Sequence, residues 1–251
     1  LSIPLPKYHA VNSAADLADA ARTIGLPLVV KTRRMGYDGK GQFVLRDIGQ
    51  IETVWSELGG NDLIAEQWVD FDYEVSAIGV RSLDGEIASY CLTHNEHAGG
   101  ILRVSRAPVD EMALSGKAHQ YMRNMLEHLD YVGVLALELF VVGDELLANE
   151  YAPRVHNSGH WTIEGAETSQ FSNHILAISQ QKPGSTANVG HAGMVNLIGA
   201  IPDRARGLSD VALHDYGKAA RPGRKLGHIT TVADSASERD ARIRQISEIV
   251  T

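Results

Sequence analysis

Between Tyr131 and Tyr151 two apolar runs flank Gly143 and Asp144, and each run carries one inward-placed glutamate, Glu138 or Glu150. A Gly-Asp pair is a turn signal, so the stretch reads as a β-hairpin. If Val142 and Leu146 close the loop, Glu138 faces Glu150 across the strands. Directly opposed residues have Cβ atoms about 5 Å apart, and like charges so placed are destabilising. Both faces of the hairpin are otherwise apolar, which leaves the carboxylates no water to lean into. A divalent cation held between them removes the conflict. A few oxygen ligands, with Asn149 beside them, suit Mg²⁺ that also binds substrate phosphates. The plainer alternatives are protonation of one glutamate or pairing with an arginine.

The chain has 251 residues, enough for one large domain or two smaller ones, and its 44 % apolar and 22 % charged content is that of a globular protein. A net charge of −8 argues against a nucleic-acid partner and leaves anionic ligands to local basic clusters. Cys91 is the sole cysteine, which excludes an internal disulfide and fits a reducing cytoplasm. The apolar run Val132–Val142 is too short to span a bilayer, so no membrane partner is expected, and no signal peptide is visible. The start at Leu1, without an initiator methionine, reads as a cut through a longer protein.

Asn12 and Ser13 are caps for a helix that Gly25 ends. Residues 27–31 read as a buried strand, 42–46 as its return, 47–58 as a helix and 63–69 as another strand. Residues 73–81 and 86–93 form a hairpin around Asp84 and Gly85. Ala118, Met122, Met125 and Leu129 share one helical face and read as core. A helix over 168–178 follows the glutamate hairpin, and a linker lies near 181–190. Mixed strands and helices without strict alternation predict an α+β fold.

Four segments carry candidate chemistry. Lys31 to Gly41 contains Gly36, Gly39 and Gly41 with Lys31, Arg33, Arg34 and Lys40. Glycines admit phosphate oxygens to backbone N–H groups and the cations balance charge. The spacing is neither a Walker A loop nor a Rossmann fingerprint, and a surface hairpin loop fits equally. Glu66 to Val69 ends a strand, where backbone groups suit an adenine edge and a carboxylate suits a ribose; an ordinary exposed strand end fits too. Asn149 to Trp161 is dense in donors on a loop held by Pro153 and Gly159. His156 and His160 have the spacing of a helical zinc pair, but Pro153 and Gly159 oppose a helix and a third ligand is missing. Lys218, Arg221, Arg224 and Lys225 concentrate charge at a turn, suited to a phosphate monoester or simply solvated.

Together, Val29 to Gly41, Leu92 to His97, Asn149 to Thr162 and Arg221 to His228 resemble the ATP-grasp ligases. Within them the closest resemblance is to the branch that carboxylates an aminoimidazole ribonucleotide in de novo purine biosynthesis. The third segment is the most specific. The resemblance implies an ATP-grasp domain over 1–185, with a lid-bearing part over about 1–70 and a metal-binding part over 71–185. A small C-terminal β-rich module over 186–251 would follow. It implies ATP as co-substrate, Mg²⁺ (or Mn²⁺ in its place) on Glu138 and Glu150, and bicarbonate and aminoimidazole ribonucleotide as the other substrates. Lys31 would contact ATP phosphates, under a loop of Gly36, Tyr37, Asp38, Gly39, Lys40 and Gly41 that leads into Gln42. Glu66, Gln67, Trp68 and Val69 would hold the adenine and Glu74 the ribose, with His94, Asn149 and Glu150 as further nucleotide contacts. Tyr37, Lys40 and Arg154 would act on the reacting groups. They would line the ribonucleotide site with His156, Asn157 and Ser158, and Lys218, Arg224 and Lys225 would take its phosphate. The resemblance also implies a homodimer. The family carries an N-terminal Rossmann-like domain of about a hundred residues, absent from this sequence, so a nucleotide-binding or dimerisation fragment without turnover is the second expectation. Another ATP-grasp carboxylase or a formate-activating relative is the third, and the intact Arg154 to Trp161 segment argues against it.

Overall fold

A computed structural model describes residues 1–34, 36, 41–59, 62–109 and 111–250. The chain divides into two compact units, one of residues 4–71 with 99–101, the other of 1–3, 72–98 and 102–251.

In the first unit, Ser13 accepts from the Asp16 N–H and the Asp16 carboxylate accepts from the Ser13 N–H, a capping box that starts α1 (Ala14–Ile24). Gly25 follows at φ 100°. The sheet runs β1 (Tyr8–Val11), β4 (Leu63–Gln67), β2 (Leu28–Thr32), β3 (Gln42–Leu45). Leu17, Ala20, Val30, Leu45, Val54 and Leu63 make its core with α1 and α2 (Ile51–Leu58). The helix expected over 47–58 begins as a 3₁₀ turn that Asp47 caps and becomes α-helical only at Ile51. Strand β1 carries no sequence signal: it is an edge strand with only Val11 buried.

The second unit is built on one antiparallel sheet in the order β10 (Glu145–Ala152), β9 (Gly133–Val142), β5 (Tyr73–Arg81), β7 (Thr93–Ala98), β8 (Ile101–Ala107), β11 (His191–Ile198), β13 (Lys225–Ala233), β12 (Ala212–Asp215). The short β6 (Ile87–Ser89) pairs with β5 off this path. The strand expected over 86–93 is therefore split. Tyr90 is buried with its hydroxyl donating to Thr168 O, its N–H still donates to Ile78 O, and Leu92 O turns to accept from the Val109 N–H instead. On one face α3 (Met112–His128) packs Ala118, Met122 and Met125 on Val75, Ala77, Leu137 and Leu139. Leu129, expected on that stripe, follows the helix end and is exposed. Farther along, α6 (Ala236–Val250) covers Val195, Leu197 and Ile229. The opposite face packs Ile78, Ala136 and Met194 against the buried Trp161, α4 (Thr162–Gly165) and α5 (Gln170–Ile178). Residues 186–251 supply β11, β12, β13 and α6, and β11 joins β8 edge to edge in the same sheet. No helix among the described residues is long and apolar enough to cross a membrane.

Candidate active site

Glu138 and Glu150 are directly opposed on β9 and β10. The route to this register differs from the expected one. Val142 pairs with Glu145, not Leu146, so the loop is only Gly143 and Asp144. That pairing alone would place Asn149 opposite Glu138. A bulge between Ala148 and Glu150 takes up one residue and brings Glu150 into position.

Ser76 of β5 is the partner of Glu138 on its other side, and Glu74 lies two residues away on the same face. Asn95 of β7 donates to Ser76 Oγ at 2.6 Å and Ser105 donates to Asn95 Oδ1 at 2.8 Å, which continues a buried polar row across the sheet. His97 Nδ1 lies 2.5 Å from Glu74 Oε2. His94, the expected nucleotide contact, is paired with Val75 and approaches the ring of Tyr73, so it belongs to the opposite face. The strand period of two separates residues 94 and 97, and sequence alone could not choose between them.

The loop after β10 brings His156 to Glu138, with Nε2 3.3 Å from Oε1. Gln170 holds this residue from behind: the His156 N–H donates to Gln170 Oε1 at 2.9 Å, and Gln170 Nε2 donates to His156 O at 2.7 Å. His156 caps a 3₁₀ turn over Asn157–Gly159 and accepts from the Ser158 N–H through Nδ1. An acceptor Nδ1 puts the ring proton on Nε2, the nitrogen 3.3 Å from Glu138 Oε1. Residues 156–160 are thus not the α-helix a histidine zinc pair would need.

Charge follows this geometry. Burial first, then the neighbouring Glu150, raises the Glu138 pKa to about 7, against the opposing pull of His97 and Lys225. Burial, reinforced by the charges of Arg154 and Lys225, pushes His156 down to about 3, so it is neutral. Burial also depresses His97, but its hydrogen bond to Glu74 and the negative charge of Glu74 and Glu138 outweigh that, and the net shift is upward.

The residues fit a divalent cation. Glu138 is partly buried and Glu150 is exposed, yet directly opposed carboxylates resist joint ionisation, in keeping with the raised Glu138 pKa, and a hard cation relieves this. Among the described residues no group of three or more His, Cys, Asp or Glu could hold a metal alone. A cation here needs further oxygen ligands beyond these two carboxylates.

Two expected lining residues are already engaged. Ser158 is fully buried with its hydroxyl 2.8 Å from His156 Nδ1. Asn157 exchanges amide hydrogen bonds with Asn196, at 3.0 and 2.8 Å. Asn196 Nδ2 also donates to Leu102 O, which fixes the orientation of both amides. Arg154 is exposed, its guanidinium donating to Val155 O. Lys218 lies over the ring of Tyr216, and Arg224 donates to Ala219 O. The charges of Lys225 and Arg154 both reach His156 and His160, and that of Lys218 reaches His160. The basic turn and the 154–160 loop therefore converge. His97, Gln170, Asn196 and Tyr216 were not foreseen from sequence.

In the first unit, Lys31 Nζ pairs with Glu66 Oε2 at 2.7 Å, both largely buried. Gln42 is the Cα partner of Lys31, and Gly41 O accepts from Thr32 N–H with Gly41 at φ 74°. Strand β4 ends at Gln67, so Trp68 and Val69 lie just beyond it, with Arg46 over the Trp68 ring at 5.5 Å. Of the remaining loop residues, Gly36 is exposed, while Tyr37, Asp38, Gly39 and Lys40 lie outside the described residues.

A family model described as the ATP-grasp domain matches residues 1–171, and one described as the phosphoribosylaminoimidazole carboxylase C-terminal domain matches 192–242. The fold is thus that of an ATP-grasp ligase, a class that uses ATP with a divalent metal. The N5-carboxyaminoimidazole ribonucleotide synthase of Pseudomonas aeruginosa is 49 % identical over 252 aligned positions, covering 100 % of this chain and 70 % of the relative. The crystal structure of N5-carboxyaminoimidazole ribonucleotide synthetase from Thermus thermophilus superposes with TM-score 0.92 at 48 % identity, covering 99 % of this chain and 69 % of that one. An Aspergillus clavatus N5-carboxyaminoimidazole synthase in complex with ADP and 5-aminoimidazole ribonucleotide has TM-score 0.89 at 31 % identity, covering 99 % and 69 %. The chain belongs to the N5-carboxyaminoimidazole ribonucleotide synthase family of ATP-grasp ligases.

Proposed function

We propose that the chain carries out ATP-dependent carboxylation of 5-aminoimidazole ribonucleotide with bicarbonate in de novo purine biosynthesis. Bicarbonate oxygen attacks the γ-phosphorus of ATP, ADP leaves, and carboxyphosphate forms. The exocyclic amine of the ribonucleotide then attacks the carboxyl carbon, or CO₂ released from it. The products are the N-carboxylated ribonucleotide, ADP and phosphate. Such chemistry asks the protein for alignment, charge neutralisation and exclusion of water.

The observation that carries this reading is the opposed pair Glu138 and Glu150 on the face where Arg154, Lys225 and Lys218 converge. Glu138 and Glu150 would hold Mg²⁺, which when bound neutralises phosphate charge. His156 Nε2, 3.3 Å from Glu138 Oε1, would help to keep that carboxylate aimed. Arg154, with Tyr37 and Lys40, would steady the anionic carboxyphosphate. Lys31 and the Gly36–Gly41 loop would take ATP phosphates, Glu66 to Val69 the adenine, and Glu74, held by His97, the ribose. Lys218, Arg224 and Lys225 would take the ribonucleotide phosphate. The domain limits at 70 and 185, a homodimer and a cytoplasmic location belong to the same reading.

The test is ADP release from Mg²⁺ and ATP, with and without the ribonucleotide and bicarbonate. Stimulation that requires both is expected; ADP release indifferent to the ribonucleotide would reject the reading.

A further inference from the structure

Tyr216 touches both segments that bear the site's cations. It stands between β12 and the turn of Lys218, Arg224 and Lys225. Its hydroxyl lies 3.0 Å from His160 Nδ1 and 2.8 Å from His228 Nδ1. Lys218 Nζ sits 4.9 Å from its ring centroid. Asn157 Nδ2, whose identity the Asn196 pair fixes, lies 3.2 Å from the same His160 Nδ1. An amide nitrogen only donates, so His160 Nδ1 accepts and the ring proton is on Nε2. The Tyr216 O–H then donates to His160, and the His228 Nδ1–H donates to the Tyr216 oxygen. His228 is itself immobilised: it is 2 % exposed and stacked on His214 at 4.4 Å, and His214 Nε2 lies 2.7 Å from Glu164 Oε1. A neutral His160 agrees with this order, since burial and the charges of Lys225, His214 and Lys218 hold its pKa at about 4.

Two cation-bearing segments far apart in sequence are thus registered by one side chain. We propose that Tyr216 is the positioning residue of the substrate-phosphate pocket: its hydroxyl holds the 154–160 loop through His160, its ring holds the Lys218 ammonium, and affinity for a phosphorylated ribonucleotide depends on both. The inference rests on the assignment of Lys218, Arg224 and Lys225 to the substrate phosphate. The phosphate cations Lys218, Arg224 and Lys225 lie on the segment Tyr216 adjoins, whereas the nucleotide co-substrate is reached only indirectly through His156, so the ribonucleotide loses more affinity than the nucleotide. A merely structural tyrosine would weaken every ligand together.

The experiment is calorimetric titration of the full chain, as wild type, Tyr216→Phe and Tyr216→Leu, with 5-aminoimidazole ribonucleotide, its dephosphorylated nucleoside and Mg²⁺-ADP. Tyr216→Phe keeps the ring and is expected to weaken the ribonucleotide about threefold to tenfold, the scale of one hydrogen bond. Tyr216→Leu also loses the cation–π contact and is expected to cost about threefold more. Nucleoside and Mg²⁺-ADP affinities are expected to fall less than that for the ribonucleotide. Wild-type ribonucleotide affinity in Tyr216→Leu, or equal loss of Mg²⁺-ADP affinity, overturns the proposal. If the wild-type chain binds the ribonucleotide no better than its nucleoside, the phosphate assignment itself falls, and the proposal with it. Imidazole ¹⁵N shifts without ligand separate the two cases. His160 Nδ1 should move toward the value of an unbonded ring nitrogen in Tyr216→Phe, and an unchanged shift overturns the hydroxyl tie.

Discussion

Glu150 stands opposite Glu138 because Asn149 is bulged out of the ladder between them and the hairpin end. The loop length alone would put Asn149 there. The pair is therefore specified by two local features that must agree, a two-residue loop and a one-residue bulge.

Replacing Glu150 by glutamine removes the charge that helps to raise the Glu138 pKa from the usual carboxyl range to about 7. The Glu138 carboxyl should then titrate lower, visible in its side-chain ¹³C shift, while the fold persists. Mg²⁺-dependent ATP use should be lost in the same variant. Turnover at the wild-type rate would remove the metal assignment.

Without metal, stability should carry the mark of Glu138. Its folded pKa is raised, so the folded state binds the proton more tightly than the unfolded chain. Its contribution is present below the unfolded value near 4.5 and is lost as pH rises through about 7. The size is on the order of 3 kcal/mol. His156, His160 and His228 have the opposite sign, with pKa values lowered chiefly by burial to about 3, 4 and 3. Their contribution is complete above the unfolded value near 6.5 and is lost as pH falls. Glu138→Gln in chelator should therefore steepen the fall in melting temperature below pH 6.5 and flatten its dependence above it. A melting curve with the same pH dependence as wild type would contradict this.

Gln170 satisfies the buried N–H and C=O of His156 at once. Gln170→Leu leaves the His156 N–H without a partner, while the His156 carbonyl keeps the Gly159 N–H at 3.0 Å, and should cost roughly 1–3 kcal/mol by denaturant unfolding. Loss within a few tenths of a kcal/mol would mean that the loop finds other partners.

Gly227 is a close-approach glycine. A Cβ there would lie 2.3 Å from the His214 carbonyl oxygen, a backbone atom that moves only if β12 leaves β13. Gly227→Ala should destabilise by about 1–3 kcal/mol and weaken the ribonucleotide, because the strand that leads to Tyr216 shifts. Unfolding free energy and ribonucleotide affinity, measured on one sample, check both halves.

The hairpin, the glutamate pair and the basic turn were legible because each rests on local pattern: alternation, a Gly-Asp turn, charge density. The bulge was not, since residues 145–152 fit either register equally well. That His97 rather than His94 lies against Glu74 was not legible, because the register of β7 on β5 is a tertiary fact. Gln170 opens α5 and Asn196 interrupts the apolar run of β11, polar side chains whose type suggests exposure, yet both are buried, as is Trp161 just before α4. Tyr216 had no signal at all: its partners lie 56 and 12 residues away in sequence.

The sheet of the second unit has a temporal side. Every pairing is antiparallel, and β8 finds its outer neighbour only in β11, encoded after the glutamate hairpin, the site loop and α5. As the chain leaves the ribosome, β8 presents an open hydrogen-bonding edge through the synthesis of everything between. Unpaired edges recruit wrong partners, and pairings between distant segments form slowly. Chaperone dependence and aggregation of nascent chains should therefore peak for lengths ending before residue 198 and fall once β11 has emerged.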